Sequence, residues 1–190
     1  MDRRVEKTRK AIFNAFISLL SKKDFEEISI TAIAKVADVN RVTVYKHFVD
    51  KYDLLDKCID DKLSVFLADC KKDAVYEVTY SAFEYLYDNR TTFTLLLKAA
   101  GNGVLHKKFA ASFMEREYLH NFAQGNTELY TTMKTHFLVS AIAGVFEWWL
   151  TAPDSLTVKD ACDTLFSIIS EIYPDYDASG IFRPSSVSSS

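Results

Sequence analysis

Apolar residues recur at intervals of three and four along the chain, the spacing that lines one face of an α-helix. The first stripe, Ile12, Phe13, Phe16, Ile17, Leu19 and Leu20, predicts a helix over residues 3–22. Lys22, Lys23 and Asp24 then turn the chain, so that Phe25, Ile28 and Ile30 come back beneath it. Thr31 is placed to cap a short helix in which Ile33, Ala34 and Ala37 turn inward. Asp38, Val39 and Asn40 interrupt the pattern. Asp and Asn tolerate left-handed backbone angles, Val39 can plug the core, and Asn40 can cap a second short helix from Arg41 to about His47. On that helix Val44 and Phe48 lie four apart and pack inward.

A long helix is predicted from Asp50 to about Lys72, because neither Gly nor Pro divides it and Leu54, Leu55, Cys58, Ile59, Leu63, Phe66, Leu67 and Cys70 supply a stripe. Asp50 is its expected cap, and Asp53 suits its positive end. Further helices are read over 74–88, 91–100, 105–123, 127–151 and from Val158 until Tyr173-Pro174, with Gly101-Asn102-Gly103 and Gln124-Gly125-Asn126 as loops. Five Gly and three Pro in 190 residues fit a chain made mostly of helix. The expected fold class is therefore all-α, with about nine helices.

Composition adds one asymmetry. The net charge of −3 gives no overall signal for nucleic acid. Residues 1–57, however, hold twelve Lys and Arg against nine Asp and Glu, a balance of +3, and the rest hold eleven against seventeen, a balance of −6. Attraction to phosphate requires the first kind of charge. Cys58, Cys70 and Cys162 are isolated and read as reduced, small apolar residues. No apolar run approaches the roughly 20 residues of a membrane span, and the protein is expected to be soluble and cytoplasmic. His47, His106, His120 and His136 lie too far apart for a helical metal pair, and no Gly-rich phosphate loop, G-x-S-x-G or H-E-x-x-H occurs, so neither metal nor cofactor nor catalysis is expected.

The two short helices, Thr31 to Lys51, carry the chemistry. Arg41 and Lys46 can reach base edges in a major groove, Arg41 in the two-pronged manner that suits guanine, while Thr43, Tyr45, His47 and Lys51 can donate to phosphate. The plainer alternatives are that Arg41 and Lys46 are a solvated face, that Tyr45 and Phe48 are core aromatics, and that His47 is a packing residue. Arg3, Arg4, Lys7, Arg9 and Lys10 are either a solvated helix start or an arm near the duplex.

Thr31-Ala-Ile-Ala-Lys-Val-Ala, then Val39-Asn40-Arg41-Val42-Thr43-Val44-Tyr45-Lys46-His47-Phe48, with Lys51 and Leu54-Leu55 behind, resembles the helix-turn-helix DNA-binding domain of the TetR family of bacterial regulators. The chain departs from that pattern at Asp38 and Val42, where the family usually has Gly; Val42 alters the exposed start of the recognition helix. The resemblance implies DNA contact by Thr31, Asn40, Arg41, Val42, Thr43, Tyr45, Lys46, His47 and Lys51. It implies a DNA-binding domain at 1–49, a ligand-binding and dimerisation domain at 50–176 and a polar tail at 177–190, read as disordered. It further implies a homodimeric repressor of a palindromic operator, released by a small molecule.

The last two helices have more apolar surface than one partner each would cover. Phe137, Ala141, Gly144, Val145, Trp149, Leu165, Ile168, Ile169 and Ile172 are the expected dimer interface, the alternative being the interior of a monomer. Tyr76, Tyr80, Phe83, Tyr87, Phe113, Tyr118 and Trp148 are candidates for an aromatic ligand wall, or else core. Gly101-Asn102-Gly103, followed by an aromatic helix and a Gly-x-x-x-Trp-Trp helix, resembles the subgroup that includes regulators of dihydroxyacetone kinase operons. That likeness carries a second reading, a coactivator or protein-interaction module acting with a protein that holds the ligand.

Overall fold

The computed structural model describes residues 3–69, 75–101, 103–114, 127–153 and 155–172. Among these it contains nine α-helices, one 3-10 turn and no strand. They are α1 (Arg3–Leu20), the turn Phe25–Glu27, α2 (Ile30–Val36), α3 (Arg41–His47), α4 (Lys51–Asp69), α5 (Val75–Asp88), α6 (Arg90–Ala100), α7 (Val104–Met114), α8 (Glu128–Trp149) and α9 (Val158–Ile172). The chain divides into two compact units, Met1–Ser64 with Thr91–Leu105, and Val65–Arg90 with His106–Ser190. The expected loop residue Asn102, the loop 124–126, Cys70, His120, Tyr118 and the tail from 177 lie outside the described residues, as do the side chains of Phe66, Leu67 and Phe113.

In the first unit α1 buries Ile12, Phe13, Ala15, Phe16 and Leu20. Phe25 sets its ring edge-on to Phe16, with centroids 6.1 Å apart, which folds the 3-10 turn under α1. Ser29, not Thr31, caps α2: its hydroxyl accepts from the Ala32 N–H at 3.2 Å. Burial of Ile28 fixes the chain so that Ile30 is already helical, leaving Thr31 exposed one position past the helix start. Asp38 stands at φ 53°, in the left-handed region. The Val39 N–H donates back to Ala34 O (3.0 Å) and the Asp38 N–H to Lys35 O (3.4 Å), so two carbonyls left open by the end of α2 are satisfied.

Asn40 caps α3, its Oδ1 accepting from the Val42 N–H at 2.8 Å. Val44 and Phe48 are buried, and the Phe48 ring packs on Phe13 at 5.5 Å. Asp50 caps α4 by accepting from the N–H groups of Tyr52 (2.9 Å) and Asp53 (2.8 Å). The adjacent Asp53 accepts from the Val49 N–H and from Lys57, both at 2.8 Å; Lys57 and then that N–H hold its carboxyl below the usual carboxylate range. Leu54, Leu55, Cys58, Ile59 and Leu63 are the buried stripe of α4, and Phe93 and Leu96 that of α6. Asp24 accepts from Lys98 of α6 at 2.8 Å. Burial pushes the Cys58 thiol up to about 12, so it stays protonated and unreactive.

The second unit has an aromatic centre. Phe83 of α5 meets Phe146 and Trp149 of α8 edge-on, at 4.9 Å and 5.4 Å, and Phe109 of α7 reaches Phe146 at 5.9 Å. Thr127 caps α8 by accepting from the Tyr130 N–H at 3.1 Å. At its other end Arg90 donates to Leu150 O (2.9 Å) and to Ala152 O, placing a cation on the carbonyl end of the helix. α5 packs along α9: the Tyr76 ring lies 5.0 Å from Phe166, and its hydroxyl donates to Asp163 at 2.5 Å. Asp163 also accepts from Lys159. Burial raises the Cys162 thiol to about 11.

The left-handed Asp38 gives a direct test. Asp38→Gly removes the Cβ clash of that conformation and is expected to stabilise the protein by about 0.5–1 kcal/mol, whereas Asp38→Ala should destabilise it, both read by thermal melts. A lower melting temperature for Asp38→Gly would contradict this account of the corner.

Candidate nucleic-acid interface

α3 is seven residues long, too short to be stable alone, so its orientation comes from what it buries. Val44 is 0 % exposed and Phe48 1 %, which turns the opposite side outward. That outward side carries Arg41, Val42, Tyr45 and Lys46, all exposed, with Thr43 and His47 half-buried at its flank. Arg41 and Lys46 are thus not in the interior. The Arg41 guanidinium lies over the Tyr45 ring at 5.3 Å and donates to its hydroxyl at 3.1 Å. In the free protein Tyr45 therefore holds Arg41 along the helix surface, which limits the rotamers Arg41 must lose to engage a ligand. Asn40 is exposed just ahead of α3, and Thr31 in the first turn of α2.

Lys51 differs from the expectation of a free phosphate donor. Its ammonium donates to Phe25 O (3.2 Å), Glu26 O (3.2 Å) and Glu26 Oε2 (2.8 Å), and lies 4.6 Å from the centroid of the Phe25 ring. An ammonium has three protons, and all three are engaged. The side chain is 17 % exposed. Lys51 therefore ties α4 to the 3-10 turn, and Tyr52 adds its hydroxyl to the same Glu26. At the start of α1, Arg9 pairs with Asp61 at 3.1 Å and Lys10 with Glu6 at 3.3 Å, while Arg3 and Lys7 stand exposed.

Among the described residues only part of the expected ligand wall comes together, the pair Tyr76 and Tyr80. Phe83 is core, and Tyr76 is engaged by Asp163 and stacked on Tyr80 at 6.4 Å. Tyr87 (47 %) and Trp148 (53 %) are exposed. Phe113 and Tyr118 cannot be added, the side chain of one and the whole of the other lying outside the described residues.

The expected interface residues divide in two. Trp149, Leu165 and Ile169 are buried inside the chain and are unavailable to a second copy. Phe137, Ala141, Ile168 and Ile172 are exposed, and Gly144 and Val145 half-exposed. Tyr130, Met133 and Trp148 extend the Phe137 stripe along α8 and lie outside the expected set; the steps of three from Tyr130 to Met133, four from Met133 to Phe137 and four from Gly144 to Trp148 are the signal for them. Among the described residues no helix is long and apolar enough to cross a membrane, and no cluster of His, Cys, Asp and Glu could hold a metal.

Comparison with known proteins bears on the family and the fold. Residues 12–58 match the family profile of bacterial regulatory proteins, tetR family, and residues 73–171 match that of a transcriptional regulator C-terminal region. The HTH-type transcriptional regulator SAR2658 of Staphylococcus aureus is 29 % identical over 151 residues, which cover 75 % of this chain and 82 % of that protein. The crystal structure of a TetR transcriptional regulator from Streptococcus agalactiae superposes with a TM-score of 0.65 at 26 % identity, covering 88 % of this chain and 96 % of that one. NalD, the secondary repressor of the MexAB-OprM multidrug efflux pump in Pseudomonas aeruginosa, shares the fold at 21 % identity, with a TM-score of 0.59 over 88 % of this chain and 96 % of its own.

Lys51→Ala should lower the melting temperature, by about 1–3 kcal/mol of stability, because two backbone carbonyls lose a charged donor. Lys51, first among the causes, holds the Glu26 carboxyl below its ordinary value of 4.5. A carboxyl depressed in the folded state adds stability that is complete above its unfolded value and is lost as pH falls through the folded one. The wild type should accordingly lose more stability than Lys51→Ala when acidified below pH 4.5. Equal acid slopes in denaturant titrations would contradict the tie.

Proposed function

The chain belongs to the TetR family of bacterial transcriptional regulators, DNA-binding proteins and not enzymes, and on that premise we propose that it is a homodimeric repressor released from a two-fold operator by a small molecule. The observation that carries the reading is the outward side of α3, where Arg41, Val42, Tyr45 and Lys46 are held clear of the core by Val44 and Phe48. Residues 1–49 read DNA and residues 50–176 sense and pair. Arg41 and Lys46 meet base edges, and Thr31, Asn40, Thr43, Tyr45 and His47 contact the backbone.

A palindromic operator requires two reading helices about 34 Å apart, hence two copies of the chain. Tyr130, Met133, Phe137 and Trp148 on α8, with Ile168 and Ile172 on α9, are the apolar surface that a second copy would cover. Repression asks least of such a protein, since occupying a promoter needs no further surface. The ligand binds in the 50–176 part and favours one of two arrangements of the dimer. Its effect reaches the reading helix through α4, which starts four residues after α3 ends and continues without Gly or Pro to Asp69.

Two measurements test this. Gel shifts in rising salt should show one duplex bound far more tightly than random DNA, with a steep loss of affinity, and Lys46→Ala should relax the preference at one base position, by about 1–3 kcal/mol. Sedimentation should find a dimer that Phe137→Glu converts to monomer, because a buried unpaired carboxylate at an interface is costly. Random DNA bound as tightly as any duplex, or a monomeric wild type, would overturn the proposal.

A further inference from the structure

Val42 has no role in the fold that would explain it. It is 62 % exposed in the first turn of α3, and a β-branched side chain there has a lower helix propensity than Ala. An α-helix advances about 100° per residue, which sets Val42 and Lys46 roughly opposite the mean direction of Val44 and Phe48. The two buried side chains thus aim Val42 at whatever α3 faces, with Tyr45 on one side and Lys46 on the other.

The major-groove edges of the bases present hydrogen-bonding groups almost throughout. Guanine offers two acceptors, adenine an acceptor and a donor, and cytosine a donor; only thymine adds an apolar group, its C5 methyl. An isopropyl group pressed on the other edges strips water from polar atoms without replacing it, which is unfavourable. Against a thymine methyl, both partners leave water together.

We propose that Val42 reads the C5 methyl of a thymine in the major groove, so that the operator carries a required 5-methylpyrimidine at one position in each half-site. The inference rests on α3 being the groove-facing helix. Arg41, next to Val42, serves guanine on a neighbouring pair. Val42 acts by apolar contact alone, and its preference is independent of salt.

The test removes only the methyl. Duplexes are selected from a randomised pool with the full-length protein, and each thymine of the best duplex is replaced singly by deoxyuridine, which keeps every hydrogen-bonding group. One thymine per half-site should respond, with wild-type affinity falling about three- to fourfold. Val42→Ala, expected to fold normally because the site is exposed, should discriminate between the thymine and deoxyuridine duplexes less than the wild type does there, its single methyl covering less of the thymine methyl. The inference is overturned if no thymine responds, or if Val42→Ala keeps the wild-type discrimination. A pool that yields no preferred duplex would sink the groove-facing reading of α3 itself, whereas a selected duplex indifferent to deoxyuridine sinks only the role of Val42.

Discussion

A seven-residue helix has no independent existence in water, so the burial of Val44 and Phe48 decides where α3 points and everything on its far side follows. Phe48 sits on Phe13 of α1, and Val44 is fully enclosed. These contacts are short-range and apolar, insensitive to salt, and they leave Arg41 and Lys46 exposed. The same geometry that exposes Lys46 makes it available to a polyanion. Lys51 is the opposite case, a cation consumed by the scaffold, which steadies the base of α4 against the 3-10 turn.

Charge and hydrophobicity divide the labour between the two parts of the sequence. The excess of +3 falls in residues 1–57, the part that contains α3, whereas the remainder, at −6, exposes apolar side chains on α8 and α9. A surface of the first kind gains from counterion release on a duplex, and one of the second kind gains from removal of water against a like surface. The two gains are independent, so salt should separate DNA affinity from self-association.

Local features were legible in the sequence. Asn40 and Asp50 cap the helices assigned to them, and Asp38 takes the left-handed angle, because each depends on neighbours within four residues. The cap of α2 lies two residues ahead of the expected Thr31, since Ser29 and Thr31 carry the same hydroxyl and the local pattern does not separate them. The partner of Lys51 lies 25 residues away and left no local trace. On α8, steps of four residues from Phe137 through Ala141 and Val145 to Trp149 each drift about 40° round the helix, and the last lands in the core against Phe83. Trp148, one residue earlier, stays on the exposed side. Aromatic residues on α5 could not be sorted between wall and core without knowing which neighbour each meets.

The central claim is that the side of α3 opposite Val44 and Phe48 is the surface that enters a groove, and methyl NMR on valine-labelled protein addresses it residue by residue. On titration with a selected duplex, the Val42 methyl signals should shift strongly while those of buried Val44 hold their positions. Val42 signals that stay put while the duplex binds, or shifts confined to Val139 and Val158 on α8 and α9, would contradict the account.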